Sequence, residues 1–494
     1  MTKVAAVILV GNAAEAERQA RMAFGKGADL VELRLDGIAG LRTETVRHLA
    51  RALGERAIAT LRSQSQGGES RESRAGRGLL MREICGQRFA YVDLELEADA
   101  EGLDALARAA SRHGTKVIVS HHFAEAVDVR NRVSKAIDAC EAHGDVAKVV
   151  LPVGDLDGAI QLVDLARSRT AGRPLILIGT GPAGMLTRAL AGAMGAEIQF
   201  AAWGRAATPG QFVLSTAARL RGREPTVLGL VGHPLEHSVS PVIHETALAA
   251  LDLPAVYLPF DLSPGSLEAF WLAMDRLRIR GFNVTHPLKE FVAQRVDEMD
   301  ADAERLGAVN TVVVDDGWTN GHNTDVYGFR VSLRALGLRV GGRSALVVGA
   351  GGAAKAVVHV LLREGASVQV TNRTVARADA LADSMDEPVA VVPMKDLERL
   401  GPWDLLVNAT PIGMKGIENR LPVPEAIVAK AAFIYDLVYN PTTTPLLLVA
   451  RRLNRPGTSG LDMLLHQAAK AFELWTGASA PFEAMRRAAK EALR

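Results

Sequence analysis

The segment GFNVTHPLK, Gly281 to Lys289, decides the interpretation of the chain, together with GAVNT (residues 307–311) and GHNTD (residues 321–325). It begins as an apolar, β-prone run that Pro287 stops, so we expect Lys289 at the edge of a strand and not inside a helix. Asp325 adds a carboxylate, and a lysine–aspartate pair in a cleft can relay a proton. Neutral polar side chains that suit a polyhydroxylated ligand accompany the pair: Asn283, Thr285, Asn310, Asn323 and Thr324.

With SVSP (residues 238–241), these segments resemble, in family order, the signatures of the shikimate dehydrogenases. The resemblance extends from about residue 226 to the C-terminus. It implies a two-domain, nicotinamide-dependent reductase of 3-dehydroshikimate in which Lys289 and Asp325 are catalytic. Taken alone, Ser-x-Ser-Pro is also typical of an ordinary helix cap. The resemblance implies these substrate contacts: Ser238, Ser240, Thr285, Asn310 and Gln467.

The composition narrows the class of protein. The chain has 494 residues, 48% hydrophobic and 23% charged, which allows two to four ordinary domains with complete cores. Its net charge is +1 and it has no basic stripe, so a nucleic-acid partner is not expected. Cys85 and Cys140 lie far apart, which argues against a disulfide framework or a zinc site and suits a reducing cytoplasm. No apolar run approaches the roughly 20 residues that span a bilayer, and the initial MTKVAAVILVG is better explained as a first strand than as a signal peptide.

The first half of the chain alternates short β-rich runs with helical stretches rich in Ala, Arg and Glu. This alternation predicts a closed (β/α)8 barrel, whose active site lies at the carboxyl ends of the strands. The eight predicted strands are residues 4–10, 29–35, 56–62, 89–96, 116–122, 146–153, 174–180 and 197–203.

Lys148 is the informative residue of this half, because it interrupts an apolar strand between Ala147 and Val149. Burial disfavours an ammonium and lowers a lysine pKa, which would give a free amine able to form a Schiff base with a ketone. His121, one strand earlier, could then move a proton at the carbon next to the imine. The strand alone is equally compatible with a lysine that extends to solvent at the barrel rim.

The motifs around Lys148 resemble type I 3-dehydroquinate dehydratase over about residues 1–215: ELRLD (32–36), LRSQSQGGE (61–69), VSHHF (119–123), AKVVLP (147–152), LTR (186–188) and TPGQ (208–211). The resemblance implies that Lys148 is the Schiff-base lysine and His121 the general acid/base. Arg suits the substrate carboxylate because its planar fork can bond both oxygens. The substrate-binding residues implied are Glu32, Arg34, Arg62, Arg188 and Gln211.

Three positions depart from the dehydratase pattern. The family's Glu before the Gly pair is Gln66, and the Ser of its SAPGQ segment is Ala207. Glutamine cannot stabilise an imidazolium as a carboxylate can, and Glu69 is the nearby residue able to replace it. His122 stands where Asp or Asn is usual, so either histidine could be the catalyst, although the alignment of SHHF favours His121.

A dinucleotide site is predicted by ALVVGAGGAAKAVVHVLLREGASVQVTNRT (345–374), because a buried strand passes through a glycine turn into a helix and a second strand. No carboxylate follows that second strand, and an arginine is there to bind a 2′-phosphate, so NADP is favoured over NAD. The alternative is that Arg373 is a solvated loop residue. The predicted cofactor contacts are Gly349, Ala350, Gly351, Gly352, Ala353, Asn372, Arg373 and Thr374, and the family resemblance adds Thr410 and Met414, with Asn408 also near the nicotinamide.

The fold expected is therefore α/β: an N-terminal (β/α)8 TIM barrel fused to a two-lobed shikimate dehydrogenase-like unit with a Rossmann NADP-binding domain. The predicted domains are residues 1–220 (barrel), 226–335 with 460–494 (substrate-binding catalytic lobe) and 336–459 (Rossmann domain). Both halves indicate consecutive steps, dehydration of 3-dehydroquinate and NADPH-dependent reduction of 3-dehydroshikimate. The alternatives are an active shikimate or quinate dehydrogenase with a weak or structural barrel, and a metabolite-sensing protein that is not an enzyme.

Overall fold

The computed structural model describes residues 2–70, 72–169, 173–223, 225–417 and 419–494, and its architecture confirms the predicted fold class. The chain forms two compact units. The first comprises Met1–Val227, Asp252–Phe260 and Glu268–Arg278, and the second comprises Leu228–Leu251, Asp261–Leu267 and Ile279–Arg494. The three-part division by residue range stays a prediction.

Eight strands form the N-terminal sheet, and each lies within two residues of a run predicted as a strand. They are β1 (Lys3–Ile8), β2 (Leu30–Arg34), β3 (Ala57–Thr60), β4 (Tyr91–Glu95), β5 (Lys116–His122), β6 (Val146–Pro152), β7 (Leu175–Thr180) and β8 (Ile198–Ala202). The helices that follow them are α1 (Ala13–Gly25), α2 (Thr43–Leu53), α3 (Arg74–Cys85), α4 (Leu103–Arg112), α5 (Ser134–His143), α6 (Leu156–Ser168), α7 (Met185–Ala189) and α8 (Leu214–Leu220).

The eight strands pair in parallel in the order β7-β6-β5-β4-β3-β2-β1-β8. An isolated parallel bridge between Leu175 and Ala196 joins the start of β7 to the segment before β8, so the barrel is nearly closed. Apolar side chains at alternate strand positions, among them Leu30, Ile58 and Val146, form one core cluster inside it. Because side chains alternate across a strand, residues two positions further along point into the same interior.

A second, mixed sheet has the order β10-β9-β11-β13-β14-β12. Its elements are β9 (Thr226–Gly232), α9 (Ser240–Ala250), β10 (Ala255–Asp261), α10 (Leu267–Ala273), β11 (Ile279–Val284), α11 (Lys289–Ala293), β12 (Glu298–Met299), α12 (Ala301–Leu306), β13 (Thr311–Asp315), β14 (Trp318–His322) and α13 (Thr324–Ala335). β13 pairs antiparallel with both β11 and β14, which brings the ends of the GFNVT, GAVNT and GHNTD segments together.

The third sheet is wholly parallel, with the order β17-β16-β15-β18-β19-β20 of a dinucleotide-binding fold. Apolar clusters cover its two faces: Ala345 and Val347 belong to one, and Leu346 and Val348 to the other. Its elements are β15 (Ser344–Val348), α14 (Gly352–Arg363), β16 (Ser367–Thr371), α15 (Val375–Asp383), β17 (Ala390–Val391), β18 (Trp403–Asn408), α16 (Glu425–Val428), β19 (Ala431–Asp436), α17 (Pro445–Arg452) and β20 (Gly457–Ser459).

Two helices complete the chain, α18 (Leu461–Thr476) and α19 (Phe482–Ala492). α18 packs closely against α13: a Cβ on Gly328 would lie 2.7 Å from the Met463 carbonyl oxygen. The last segment therefore returns to the lobe that holds Asp325, as the sequence predicted. Among the described residues, no helix is both long enough and apolar enough to cross a membrane. The remaining helical turns are Leu35–Gly37, Gly54–Arg56, Gln64–Gln66, Val129–Val133, Pro264–Ser266 and Met394–Arg399.

Candidate active sites

Lys289 and Asp325 form an ion pair, with Lys289 Nζ 2.5 Å from Asp325 Oδ2. The two side chains are 19% and 11% exposed, so the pair is largely withdrawn from water and still accessible. The other carboxylate oxygen accepts a hydrogen bond from Asn310 Nδ2 at 2.9 Å. An amine held this way by a buried carboxylate can donate a hydrogen bond or a proton to a third group in the cleft.

The expected position of Lys289 at a strand edge is wrong. β11 ends at Val284, the amide of Leu288 bonds the carbonyl of Thr285, and Lys289 is the first residue of α11. Pro287 does end the extended run, but the chain turns within four residues and enters a short helix. This turn points the lysine towards Asp325 at the start of α13.

A buried polar network surrounds Asp325. Asn310 Oδ1 accepts from the Thr324 amide at 2.7 Å, and Gln467 Oε1 lies 3.3 Å from Thr324 Oγ1 and 3.5 Å from Asn310 Nδ2. Asn283 Nδ2 donates to Thr311 Oγ1 at 3.0 Å. Asn310 therefore bonds the Asp325 carboxylate directly, and Gln467 lies beside Asn310 in the same network.

The SVSP loop precedes α9, and Ser240 is that helix's first residue, with Pro241 in its first turn. The Ser240 amide donates to Ser238 Oγ at 3.3 Å. The Tyr439 side chain lies close to Ser238, and burial raises the pKa of Tyr439. Sequence reasoning missed Tyr439. The signal that could have found it is an aromatic residue in the polar loop directly after a buried strand.

Thr285 lies in the turn between β11 and α11, where its amide bonds the carbonyl of Val231 at 2.9 Å. A Cβ on Gly232 would lie 2.3 Å from Thr285 Cγ2, so glycine permits this close approach. The turn is thereby fixed against β9, next to the loop that carries Ser238.

The glycine turn GAGGA follows β15 as predicted. Gly349 has φ +118°, and a Cβ there would lie 3.0 Å from the carbonyl of Ala409, so only glycine fits without strain. Gly351 has open space at its Cβ position and caps α14, with Gly352 the first helical residue. Open space beside the amino end of a helix suits a pyrophosphate.

A Cβ on Gly352 would lie 3.5 Å from Lys289 Cδ, so the glycine turn lies next to the Lys289–Asp325 ion pair. Ala350 and Ala353 lie in the same turn.

Asn372, Arg373 and Thr374 follow β16 in an exposed loop. Asn372 Nδ2 donates to the Thr374 carbonyl at 2.9 Å and holds the loop in a turn. Among the described residues, no carboxylate pairs with Arg373, so its guanidinium is available to an anion.

Thr410 and Met414 lie in the loop after β18, at the carboxyl end of the same sheet. Asn408 Oδ1 accepts from the amide and the hydroxyl of Thr410 at 3.1 and 2.7 Å. The predicted cofactor residues therefore occupy three neighbouring strand ends: those of β15, β16 and β18.

In the barrel, Lys148 points into the interior, in the layer above Val146. Two carboxylates surround its amine: Nζ donates to Asp93 Oδ2 at 2.9 Å and lies 3.6 Å from Glu32 Oε1. The side chain is 5% exposed, so it does not extend to solvent at the rim. Phe200 covers it from one side, with Nζ 4.2 Å from the ring centroid.

Arg62 is fully engaged with acidic partners, donating to Asp93 at 2.8 Å and to Glu95 at 3.0 Å. Burial alone would raise the pKa of Asp93, but the charges of Arg62 and Lys148 hold it well below its ordinary value. Arg62 therefore organises the carboxylates that hold Lys148, and its Nη1 also reaches His122 Nδ1 at 3.3 Å.

The two adjacent histidines of β5 lie on opposite faces of the strand. Ser120 and His122 share the inward face of β5 with their strand neighbour Lys148, and His121 points to the opposite face. His121 lies against Phe123, with ring centroids 4.4 Å apart, and its Nδ1 is 3.7 Å from Glu97. Of the two histidines, His122 is the one that lies with Lys148.

His122 has a neutral partner at Nδ1, since Gln66 Oε1 lies 2.9 Å away. Burial, followed by the positive charges of Arg62 and Lys148, lowers the pKa of His122 well below its ordinary value. Glu69 bonds Asp36 through its backbone amide instead. Gln66 therefore occupies the place beside the histidine, and it does so without a charge.

Arg188 is buried, and among the described residues no carboxylate pairs with it. Nη2 donates to Thr208 Oγ1 at 2.8 Å, while Nε is buried without a hydrogen-bond partner. Burial lowers the pKa of Arg188 to about 10. A buried guanidinium with a free N–H is a site for an anion.

The other predicted pocket residues lie at the same end of the barrel. Arg34 forms a two-point ion pair with Asp36, at 2.9 and 2.7 Å. Glu32 accepts from Thr60 Oγ1 at 3.0 Å. Gln211 Oε1 accepts a hydrogen bond from the backbone amide of Ala207 at 2.9 Å. Ala207 is the position where the dehydratase pattern has serine.

Within the part of the chain that the structure describes, no group of three or more His, Cys, Asp or Glu side chains could hold a metal ion.

Family models match both halves of the chain. Residues 4–221 match type I 3-dehydroquinase. Residues 230–312 match the shikimate dehydrogenase substrate binding domain, residues 333–427 match shikimate / quinate 5-dehydrogenase, and residues 460–490 match the shikimate 5'-dehydrogenase C-terminal domain.

Curated and solved relatives match the second half. The shikimate dehydrogenase (NADP(+)) of Caldanaerobacter subterraneus is 44% identical over 256 residues, which cover 51% of this chain and 91% of that protein. A shikimate dehydrogenase solved in complex with NADP+ is 37% identical and has a TM-score of 0.51, covering 55% of this chain and 96% of that one. The quinate dehydrogenase from Corynebacterium glutamicum, solved in complex with NAD, is 35% identical with a TM-score of 0.51, covering 54% and 100%.

Proposed function

The chain belongs to the shikimate dehydrogenase family and carries a type I 3-dehydroquinase domain ahead of it, and from this premise we propose how its residues carry out two consecutive steps of the shikimate pathway. The barrel dehydrates 3-dehydroquinate to 3-dehydroshikimate, and the second half reduces that product to shikimate with NADPH. The observation that carries the proposal is that each half holds one lysine amine against an aspartate. Lys148 is bonded to Asp93, and Lys289 is bonded to Asp325.

In the dehydratase, the Lys148 amine attacks the carbon of the substrate ketone. The resulting adduct loses water and becomes an imine. Asp93 and Glu32 hold the Nζ atom in one position, and two protons of the amine leave with the ketone oxygen as water. The imine makes the neighbouring C–H acidic, and His122 removes that proton and later returns one to the leaving hydroxyl. Hydrolysis of the imine then releases the product and restores Lys148.

Gln66 supports His122 as a base. When Nδ1–H donates to Gln66 Oε1, the lone pair of Nε2 is free to accept a proton. The amide cannot neutralise the imidazolium that results, so we expect a slower dehydratase than a glutamate at this position would give. Arg188 holds the substrate carboxylate, since its buried guanidinium is without an acidic partner among the described residues.

In the reductase, Lys289 donates a hydrogen bond or proton to the ketone oxygen, and Asp325 holds its Nζ atom at the start of α13. Asn310 bonds that carboxylate, and Asn310 and the adjacent Gln467 offer further polar contacts to the substrate. Ser238, Ser240 and Thr285 lie on the two turns that border the cleft and bind the substrate carboxylate and hydroxyls.

NADP is the cofactor, and the residues present fit it. Gly349, Gly351 and Gly352 leave room for a pyrophosphate at the amino end of α14, and Ala350 and Ala353 complete that turn. Arg373, with Asn372 and Thr374, would hold the 2′-phosphate, and Thr410 and Met414 would contact the nicotinamide. When bound, NADPH supplies the hydride that the ketone carbon receives.

A second candidate keeps the reductase active and makes the barrel slow, because Gln66 and Ala207 remove a charge and a hydroxyl from the dehydratase pocket. Quinate is a second candidate substrate of the reductase, since a relative of similar identity is a quinate dehydrogenase. Retention of both amines with their carboxylates argues against a sensor that is not an enzyme. We expect small-molecule substrates and a cytoplasmic location, which the two buried free cysteines suit.

Borohydride trapping tests the dehydratase half. Borohydride added with 3-dehydroquinate should reduce the imine to a stable amine, and mass spectrometry should find the adduct on the peptide that contains Lys148. The Lys148→Met variant should give no adduct and should still oxidise shikimate with NADP. An unmodified wild-type chain with full NADP-dependent activity would favour the one-activity alternative.

A further inference from the structure

Asp436, at the carboxyl end of β19, is a fully buried carboxylate that the proposed mechanism does not use. Its Oδ1 accepts from Asn408 Nδ2 at 2.8 Å and from the Val438 amide at 3.1 Å. Its Oδ2 accepts from Thr444 Oγ1 at 2.6 Å. One side chain therefore bonds three separate backbone segments that follow β18 and β19.

The first segment lies on the cofactor side. Asn408 connects Asp436 to the loop after β18. Its Oδ1 accepts from the amide and hydroxyl of Thr410, and its Nδ2 donates to the carbonyl of Ile412 at 3.3 Å. The same loop meets the glycine turn, since a Cβ on Gly349 would lie 3.0 Å from Ala409 and 3.1 Å from Thr410. The Asn408 loop therefore forms one side of the cradle that receives the dinucleotide.

The second segment lies on the substrate side. The Val438 amide bonds Asp436, and the side chain of the next residue, Tyr439, lies close to Ser238 of the SVSP loop. The third segment begins α17, where Thr444 Oγ1 also accepts from the Leu447 amide at 3.2 Å and caps the helix. Asp436 thus fixes both ends of the turn that presents Tyr439.

The Asp436 carboxylate holds these segments without a positively charged partner among the described residues. The groups that touch it from β18, from its own turn and from α17 are an amide, a backbone N–H and a hydroxyl, and among the described residues no cation pairs with it. Burial raises the pKa of Asp436 to about 6, despite the hydrogen bonds from Thr444 and Asn408. A buried, unpaired carboxylate is costly, so a neutral side chain would suit a purely structural position better.

We propose that Asp436 is a positioning residue of the reductase, which holds the loop carrying Thr410 and the turn carrying Tyr439 in one fixed relation, so that cofactor and substrate sites form together. The inference rests on the proposed reductase function. It assigns Asp436 no contact with either ligand, and its effect passes through Asn408 and Val438.

The test is Asp436→Asn, which keeps the shape of the side chain and replaces one acceptor oxygen by a donor. Because only one acceptor oxygen remains, Asn408 Nδ2 and Thr444 Oγ1 can no longer both donate to residue 436, so the two segments lose their common anchor. We expect the KM for NADP and the KM for shikimate each to rise at least about fivefold, the change expected when a hydrogen bond worth about 1 kcal/mol is lost. Dehydratase kcat/KM, measured on the same preparation, should be unchanged.

Asp404→Asn is the matched control. Asp404 lies on β18 at the opposite end of the same sheet and also accepts several hydrogen bonds, from the amide and hydroxyl of Ser344. Its replacement should leave both KM values unchanged. A second pair of variants covers the case in which Asp436→Asn does not fold: Thr444→Val should raise both KM values, and Thr444→Ser, which keeps the hydroxyl, should restore them.

The outcomes separate the inference from the function on which it rests. A wild-type chain that does not oxidise shikimate with NADP overturns the proposed function. A wild-type chain that does, with Asp436→Asn and Thr444→Val lowering only the melting temperature or kcat and leaving both KM values as they were, overturns the positioning role and leaves Asp436 a structural residue.

Discussion

Lys289 Nζ and Asp325 Oδ2 lie 2.5 Å apart, although 36 positions separate the two residues in the chain. Two antiparallel pairings, β11 with β13 and β13 with β14, produce this approach by placing the ends of their segments side by side. Asn310, at the corner between those strands, bonds the second carboxylate oxygen. The strand pairings therefore determine where the amine of Lys289 meets the Asp325 carboxylate.

Replacing Lys289 by Met should remove the proton donor while keeping the length of the side chain. We expect kcat for NADP-dependent shikimate oxidation to fall by about 10²- to 10⁴-fold, the usual contribution of a general acid or base. The KM for NADP should change little. Lys395→Met, at an exposed lysine of the same compact unit, is the control and should behave as wild type. Equal activity in the two variants would contradict the assignment.

The two adjacent histidines of β5 should differ sharply. His122→Ala should lower the dehydratase kcat by about 10²- to 10⁴-fold, because the only inward-facing imidazole of the pair is lost. His121→Ala should retain most of the activity, since that ring packs against Phe123 on the other face. Steady-state assays with 3-dehydroquinate measure both. The reverse ranking would restore the prediction made from the SHHF alignment.

Gln66→Glu should place a carboxylate beside His122 Nδ1, where the amide oxygen now lies at 2.9 Å. A negative charge favours the imidazolium, so the pKa of His122 should rise from its present lowered value. Since the neutral ring is the base, the acidic limb of the dehydratase kcat/KM profile should move to higher pH. Gln64→Glu, which adds a charge to an exposed position of the same loop, should leave the limb in place. Two superimposable profiles would show that Gln66 does not govern the histidine.

Arg373 should decide the preference for NADP. Arg373→Ala removes a guanidinium that is unpaired among the described residues, and a hydrogen bond to a charged group contributes about 1.5–3 kcal/mol. We therefore expect the KM for NADP to rise by about 10- to 100-fold, with the KM for NAD nearly constant. Arg399→Ala, at an arginine that is 85% exposed, is the control. If the KM for NADP and the KM for NAD rise equally, a group other than Arg373 binds the 2′-phosphate.

The elements with a strong local pattern could be predicted from the sequence. Eight apolar runs, the glycine turn and the long C-terminal helix lie where their patterns placed them. The pairing of Lys289 with Asp325 was also expected, because three polar segments in one short stretch favour a common cleft. The runs, the turn and the helix depend on neighbouring residues, which a sequence displays directly.

What could not be predicted depends on register and on distant partners. The choice between His121 and His122 follows from which face of β5 matches Lys148, and the pairing of Ser120 with Lys148 sets that face. The helix at Lys289 depends on the turn bond from Leu288 to Thr285. The roles of Tyr439 and Asp436 arise from contacts with Ser238 and Asn408.

The most direct test is a coupled assay on one purified preparation of the chain. With 3-dehydroquinate and NADPH as the only additions, both proposed activities predict a steady loss of nicotinamide absorbance, with one shikimate formed for each NADPH oxidised. The Lys148→Met variant should show no loss from 3-dehydroquinate and a normal loss from 3-dehydroshikimate. If the wild-type chain consumes NADPH only when 3-dehydroshikimate is supplied, the claim that it catalyses both steps is contradicted.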